Sequence, residues 1–223
     1  MTTPVRFASL PFAVLASLFL VTIPAVAQDI DCAECHEDVH FASPAHPDVT
    51  CQECHTNVTA EHEDADLEPL SDADSCGECH GSVMRSMGRS IHGGEAGCND
   101  CHGAPHEIHE VGDRASAVSA VNQIQNCGAC HDEPAELIDG YLTSEHGKAL
   151  LLSGLNNAPS CSDCHGDHRI LEVDKSRAPT SHEKSPELCG SCHGLLLEDW
   201  KNMSAHGLAW QEEKEGPVCV DCH

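Results

Sequence analysis

All sixteen cysteines of the 223-residue chain fall in one pattern. They read CAECH (Cys32, Cys35), CQECH (Cys51, Cys54), CGECH (Cys76, Cys79), CNDCH (Cys98, Cys101), CGACH (Cys127, Cys130), CSDCH (Cys161, Cys164), CGSCH (Cys189, Cys192) and CVDCH (Cys219, Cys222). Each unit ends on a histidine: His36, His55, His80, His102, His131, His165, His193 and His223. Cys-x-x-Cys-His is the attachment signature of a c-type haem. Two cysteines three positions apart face the same way over one helical turn, so both sulfurs can bond the two vinyl groups along one porphyrin edge. The next residue then reaches the axial position and binds iron through its imidazole. Disulfide pairing places no demand on the residue after each pair, and a zinc ribbon needs no adjacent histidine. Eight histidines in eight units favour haem over both.

Ten further histidines are available for eight irons. The units alternate: the odd ones carry Ala or Gly after the first cysteine, and the even ones carry Asp or Glu before the second. Four two-haem modules follow, at 28–75, 76–126, 127–188 and 189–223, after a leader at 1–27. Within each module a Ser, a variable residue and a His precede Gly or Pro, in SPAHP, SIHGG, SEHGK and SAHGL, which supplies His46, His92, His146 and His206. A second histidine follows the even unit in the first three modules: His62, His106 and His168. The stretches from His106 to Cys127 and from His168 to Cys189 align without a gap. These seven are the distal-ligand candidates. His40, His109 and His182 form a weaker set, because none recurs from module to module. Met84, Met87 and Met203 read as packing residues.

The elements that must carry these ligands are short. Over 132–152, Asp132 as cap, Pro134 in the first turn and Ile138, Leu142, His146 and Leu150 at i+4 spacing predict one helix with His146 on its apolar face. Trp200, Met203, His206 and Trp210 make a similar stripe. Beyond residue 27 the only aromatic residues besides histidine are Phe41, Tyr141, Trp200 and Trp210. Such a chain has too little apolar matter for a conventional hydrophobic core. The expected fold is therefore mainly short α-helices and coil wrapped around a covalent stack of eight haem c groups, with very little β structure, and largely disordered without haem.

The formal charge of −26 excludes a nucleic-acid binder or a polybasic membrane-surface protein. Arg6 is the only charge before Asp29, and an apolar run from Phe7 to Ile23 leads to Pro24 and Ala25-Val26-Ala27. This reads as a secretory signal cut before Gln28; an uncleaved anchor over 7–27 is the rival. No cysteine marks a lipoprotein site there. The expected location is the periplasm or the extracellular face. No nucleophile triad, phosphate loop or carboxylate pair stands out. The chain stops on the eighth unit's histidine, which points either to a continuing sequence or to a distal ligand from elsewhere, with His182 the spare.

On these motifs, and on Ser144 to His146 with Cys161 to His168, the chain resembles multihaem c-type cytochromes of the cytochrome c3-like class with doubled Cys-x-x-Cys-His units. The resemblance spans Cys32 to His223, although the odd units are unevenly spaced, at 44, 51 and 62 residues. It implies closely packed haems that pass electrons outside the cytoplasmic membrane. Bis-histidine ligation leaves no open iron and favours low potential. The partner would be another redox protein, such as a quinol-oxidising membrane cytochrome or another multihaem cytochrome, with membrane contact only through it. Two alternatives stay open: an octahaem reductase of nitrogen or sulfur oxyanions with one open haem, and a subunit of an extracellular haem filament.

Overall fold

The computed structural model describes residues 31–223 apart from 40, 42, 60, 61, 63–69, 134 and 135. The leader, His40 and Pro134 lie outside the described residues. Among the described residues eleven short α-helices follow one another: α1 (Cys51–Cys54), α2 (Asp72–Ser75), α3 (Gly77–Met87), α4 (Cys98–His102), α5 (Gln123–Gly128), α6 (Glu136–Thr143), α7 (Glu145–Leu151), α8 (Cys161–His165), α9 (Ser185–Gly190), α10 (Gly194–Met203) and α11 (Ala205–Glu213). Turns and 3-10 segments, at Cys32–Glu34, Pro105–Glu107 and Cys219–Asp221, complete the chain. Among the described residues there is no strand, and no helix is long and apolar enough to cross a membrane.

Even and odd units form their helices differently, which explains the alternation in sequence. An even unit starts a new turn at its first cysteine, so the N–H groups there need partners. Glu53, Asp100, Asp163 and Asp221 each accept the backbone N–H of the residue before that cysteine (Thr50, Gly97, Ser160 and Val218), at 2.7 Å in all four. Gly103 and Gly166 end α4 and α8 at φ of +84° and +85°, a conformation that strains any residue with a side chain. The odd units at Cys127 and Cys189 instead lie at the end of a helix already under way. α5 and α9 run through their first cysteine into Gly128 and Gly190, and a Cβ on Gly190 would strike Leu197.

The motif histidine marks a break in several units. His55, His80 and His193 have φ/ψ of −90°/62°, −99°/29° and −97°/47°, which stops or kinks the helix and turns the imidazole off the helical path.

The helix expected over 132–152 is two helices. Ser144 sits between α6 and α7 in extended conformation (φ −69°, ψ 160°); its Oγ accepts the Gly147 N–H and donates to the Tyr141 carbonyl. Ser204 does the same between α10 and α11, accepting from Gly207 N–H and donating to the Trp200 carbonyl. A serine that caps so well competes with helix continuation. The i+4 stripes are therefore interrupted: Leu150 and Trp210 are buried, while Met203 is 72% exposed. Gly147 and Gly207 allow the two helices of each corner to close, since a Cβ would run into the carbonyls of Tyr141 and Trp200.

Longer connections repeat as well. Residues 110–123 and 172–185 are runs of three-residue turns, with N–H to carbonyl bonds at Asp113, Ser116, Ser119 and Asn122 and again at Lys175, Ala178, Ser181 and Lys184. The offset of 62 is that of the gapless sequence alignment. Two latches cross between segments. Ser43 Oγ donates to the Ile108 carbonyl (3.0 Å) and Ser90 Oγ to the Ile170 carbonyl (3.1 Å). Among the described residues the buried apolar side chains are Leu150, Ala178, Pro186, Trp210 and Val218. They are too few to order a chain of this length by burial alone.

Gly147→Ala forces the α6–α7 corner open. It is expected to destabilise the protein by about 1–3 kcal/mol, read from denaturant unfolding, while Gly140→Ala, where a Cβ meets open space, stays close to wild type.

Candidate functional site

Six of the eight motif histidines face a second imidazole. The pairs are His36 with His62 (ring centroids 5.9 Å apart), His80 with His46 (6.1 Å), His55 with His106 (6.1 Å), His131 with His92 (5.9 Å), His102 with His168 (6.0 Å) and His193 with His146 (5.9 Å). The separation is constant, but the angle between ring planes runs from 6° to 78°. Direct aromatic packing couples distance to angle, since offset-stacked and edge-to-face pairs have different preferred geometries. Two imidazoles on opposite sides of one metal, each about 2 Å from it, have centroids about 6 Å apart and are free to rotate about the shared axis. The six pairs fit the second description.

Local hydrogen bonds prepare two of these rings. The His62 Nδ1–H donates to the Thr59 carbonyl (2.7 Å), so Nε2 keeps its lone pair. Ser43 spends its hydroxyl proton on Ile108, and His46 Nδ1 therefore donates to Ser43 Oγ (3.2 Å). Burial lowers the pKa of His102, helped by His168 and His80, and lowers that of His165, helped by His131. Both favour the neutral form that a metal requires.

The pairs cross the sequence modules in a regular sense. His46, His92 and His146 face the first motif histidine of the following module, at His80, His131 and His193. His106 and His168 face the second motif histidine of the preceding module, at His55 and His102. His62 faces His36 of its own module. His165, His206 and His223 have no ring opposite them among the described residues. His109 Nδ1 donates to Asp113 (3.2 Å). His182 packs edge-on against Trp210 and directs Nε2 to Asp221 (3.1 Å), so the nitrogen it would offer a metal is engaged by a carboxylate.

Cysteines of successive units also approach each other. Cys76 and Cys98 Sγ lie with an Asp72 carboxylate oxygen within 4.8 Å of one another, and that carboxylate also accepts the Cys98 N–H (2.6 Å). Burial, with the neighbouring Cys76 and Asp72, pushes the Cys98 thiol up to about 12. The Cys127 thiol is raised by its hydrogen bond to Cys161, and Cys189 is raised first by burial and then by Cys219. These contacts join first cysteines within a module. Between modules the second cysteines influence one another electrostatically: burial raises Cys54, Cys101 and Cys164, and Cys79, Cys130 and Cys192 respectively are among the groups that add to it. Each unit from the second to the eighth thus has a neighbouring unit in the sequence among its electrostatic partners. A cross-link ties two of them, with Gln123 Nε2 donating to Ser162 Oγ and Ser162 N–H donating to Gln123 Oε1, each at 2.9 Å.

Residues 83–166 match the family model described as cytochrome c7 and related cytochrome c. Over that stretch, which holds units four to six, the chain is similar to c-type multihaem cytochromes. Neither a curated protein nor a solved structure matches the chain. The family similarity and the cysteine spacing agree on a c-type electron-transfer cytochrome.

Sequence reasoning singled out the six histidines that face a motif histidine but missed the residues that support them. The capping carboxylates were visible as the even-unit Asp or Glu, and the Ile108 and Ile170 carbonyls as the aligned HEI and HRI stretches. Asp163→Ala is expected to cost about 1 kcal/mol of stability in the loaded protein, measured by denaturant unfolding, with Asp163→Asn closer to wild type. At acid pH, Asp113 is informative. Its pKa lies below the ordinary 3.8 because its carboxylate accepts the Ala115 N–H and, secondarily, pairs with His109. A depressed carboxylate stabilises the fold above its unfolded pKa, and that contribution disappears as pH falls through the lowered value. Asp113→Asn should therefore flatten the acid limb of the stability–pH curve.

Proposed function

We propose that the chain is an exported octahaem c-type cytochrome that carries electrons along a row of mostly bis-histidine, low-potential haems between respiratory redox partners. The observation that carries this reading is the set of six imidazole pairs at one separation and many angles. Haem c, when bound, supplies reversible one-electron chemistry at iron.

The chain's own residues do the rest. The sixteen motif cysteines would hold the macrocycles by thioether bonds. His36, His55, His80, His102, His131, His165, His193 and His223 would each bind an iron. His62, His106, His46, His168, His92 and His146 would supply a second imidazole at the first, second, third, fourth, fifth and seventh units. With both sides closed there is no coordination position for a substrate, and histidine in place of methionine keeps the potential low. The chain-order approach of successive cysteine pairs supports neighbouring groups close enough for electrons to pass along the molecule. The anionic surface would steer docking to a basic face of a partner, such as a quinol-oxidising cytochrome or another multihaem protein, at a rate that falls with salt.

A second reading, a redox enzyme with an open iron, is favoured by one observation: no ring faces His165 or His223 among the described residues. One experiment separates the two. Low-temperature EPR of the oxidised protein, integrated against a pyridine haemochrome count of eight, is expected to show six low-spin haems. His92→Ala and His146→Ala should each add one high-spin haem. An oxidised protein with no low-spin signal would sink the bis-histidine reading, and turnover of nitrite or sulfite by the dye-reduced protein would favour the enzyme.

A further inference from the structure

Among the even units, the fourth departs from the rest at the residue before its first cysteine. Thr50, Ser160 and Val218 hold that place in the second, sixth and eighth units, and Gly97 holds it in the fourth. Backbone conformation does not explain the glycine, because φ −94° and ψ 178° suit any residue. Space does. A Cβ on Gly97 would collide with a carboxylate oxygen of Asp72, which reaches in from α2 to accept the Cys98 N–H (2.6 Å). Asp100 already caps the same turn through the Gly97 N–H (2.7 Å), as the matching carboxylate does in the other even units. Asp72 is thus a second carboxylate at this turn, and the glycine leaves the room for it.

Asp72 stands four residues before the first cysteine of an odd unit. The same place holds Gln123 in the third module and Ser185 in the fourth. Gln123 is 8% exposed and meets the even unit of its own module in a similar way, its Oε1 accepting the Ser162 N–H (2.9 Å), but it is neutral. Ser185 keeps its hydroxyl local, donating to the His182 carbonyl (3.2 Å). This place therefore carries a negative charge in the second module and none in the third and fourth.

The charge also sits where it can act. A carboxylate oxygen of Asp72 and the Sγ atoms of Cys76 and Cys98 lie within 4.8 Å of one another, and all three residues are half-buried. The chain has 37 acidic residues, but charges exposed to solvent are screened by salt beyond about 8 Å. Asp72 is held against the attachment points of two units at once. Ferric iron carries one positive charge more than ferrous iron, so a fixed carboxylate beside the macrocycle favours the ferric form and lowers the potential.

We propose that Asp72 sets the potential of one haem pair: its carboxylate, admitted by Gly97, holds the third and fourth haems below the potential they would have with a neutral residue in its place. Each of the two takes up one electron on reduction, and the carboxylate makes that uptake less favourable. The charge thereby biases electrons from the second module towards the third, where Gln123 is neutral. The proposal rests on the reading of the units as haem sites with paired imidazoles.

The test is a potentiometric titration of the full haem-loaded chain, followed by the Soret band and EPR. In Asp72→Asn the amide oxygen can still accept the Cys98 N–H, so the charge is lost and the tether kept. Two of the eight haems are expected to titrate at higher potential, with the rest of the curve unchanged. Asp74→Asn removes a carboxylate of the same helix that accepts from Ser71 Oγ (2.6 Å), and should leave the curve as in wild type. Gly97→Ala displaces the Asp72 carboxylate at constant net charge and should shift the same two haems in the same direction. It decides the question if Asp72→Asn is poorly produced. His46→Ala labels the third iron by a high-spin signal, and His92→Ala labels the fifth. Adding Asp72→Asn should raise the potential at which the first signal is lost and leave the second where it was.

The proposal is overturned if neither Asp72→Asn nor Gly97→Ala moves any haem, or if Asp74→Asn moves the curve as far as Asp72→Asn. An equal shift at the third and fifth irons would mean a general effect of net charge and overturn it too. Lower stability in Asp72→Asn with an unmoved titration curve would make Asp72 a structural tether only, which also sinks it. If His46→Ala and His92→Ala give no high-spin haem, the failure lies in the bis-histidine reading, and the two-haem shift of the whole curve still decides the role of Asp72.

Discussion

Each facing pair of imidazoles joins two stretches of chain that are far apart in sequence, by 26 residues for His36 and His62 and by 66 for His102 and His168. The pairs nevertheless keep a separation of 5.9 to 6.1 Å. In a chain with few buried apolar side chains, such a constraint has to be met by many small local devices. The capping carboxylates start the even units at a fixed point, the off-helical motif histidines turn the ring away from the helix, and the serine-glycine corners hold His146 and His206 on the following helix. None of these is a large source of stability taken alone. Their joint effect is to present imidazoles along defined directions, facing one another across distant segments of the chain.

The parts legible in the sequence are those for which chemistry demands fixed spacing. Cys-x-x-Cys-His is rigid because two thioethers and one axial bond must reach a single macrocycle, and the Ser-x-His-Gly element is legible because it repeats. All six histidines that face a motif histidine were among the candidates. Which histidine faces which was not legible, because the pairing is long-range and crosses modules. The helix over 132–152 failed for a local reason: the apolar period at Ile138, Leu142, His146 and Leu150 was read without weighing Ser144 as a cap. The same sequence contained the corrective signal, a serine three residues before a glycine whose Cβ would strike the preceding helix. His182 shows a different limit. A spare histidine in the right region was a fair ligand candidate, but its Nε2 is taken by Asp221, the residue that also caps the eighth unit.

The two crossing latches, Ser43 to Ile108 and Ser90 to Ile170, span 65 and 80 residues. A polypeptide made from its N-terminus therefore cannot close the first until residue 108 has appeared, nor the second until residue 170 has. Contacts this distant in sequence form late, since the entropy of closing the loop must be met before the contact contributes. During synthesis the nascent chain always carries one unfinished stretch behind its growing end, with cysteines still accessible. Such a delay leaves each stretch open until the residue that closes its latch has been made, and the two stretches close in chain order. Maturation would advance as a travelling front, with the order of closure written into the lengths of the connections.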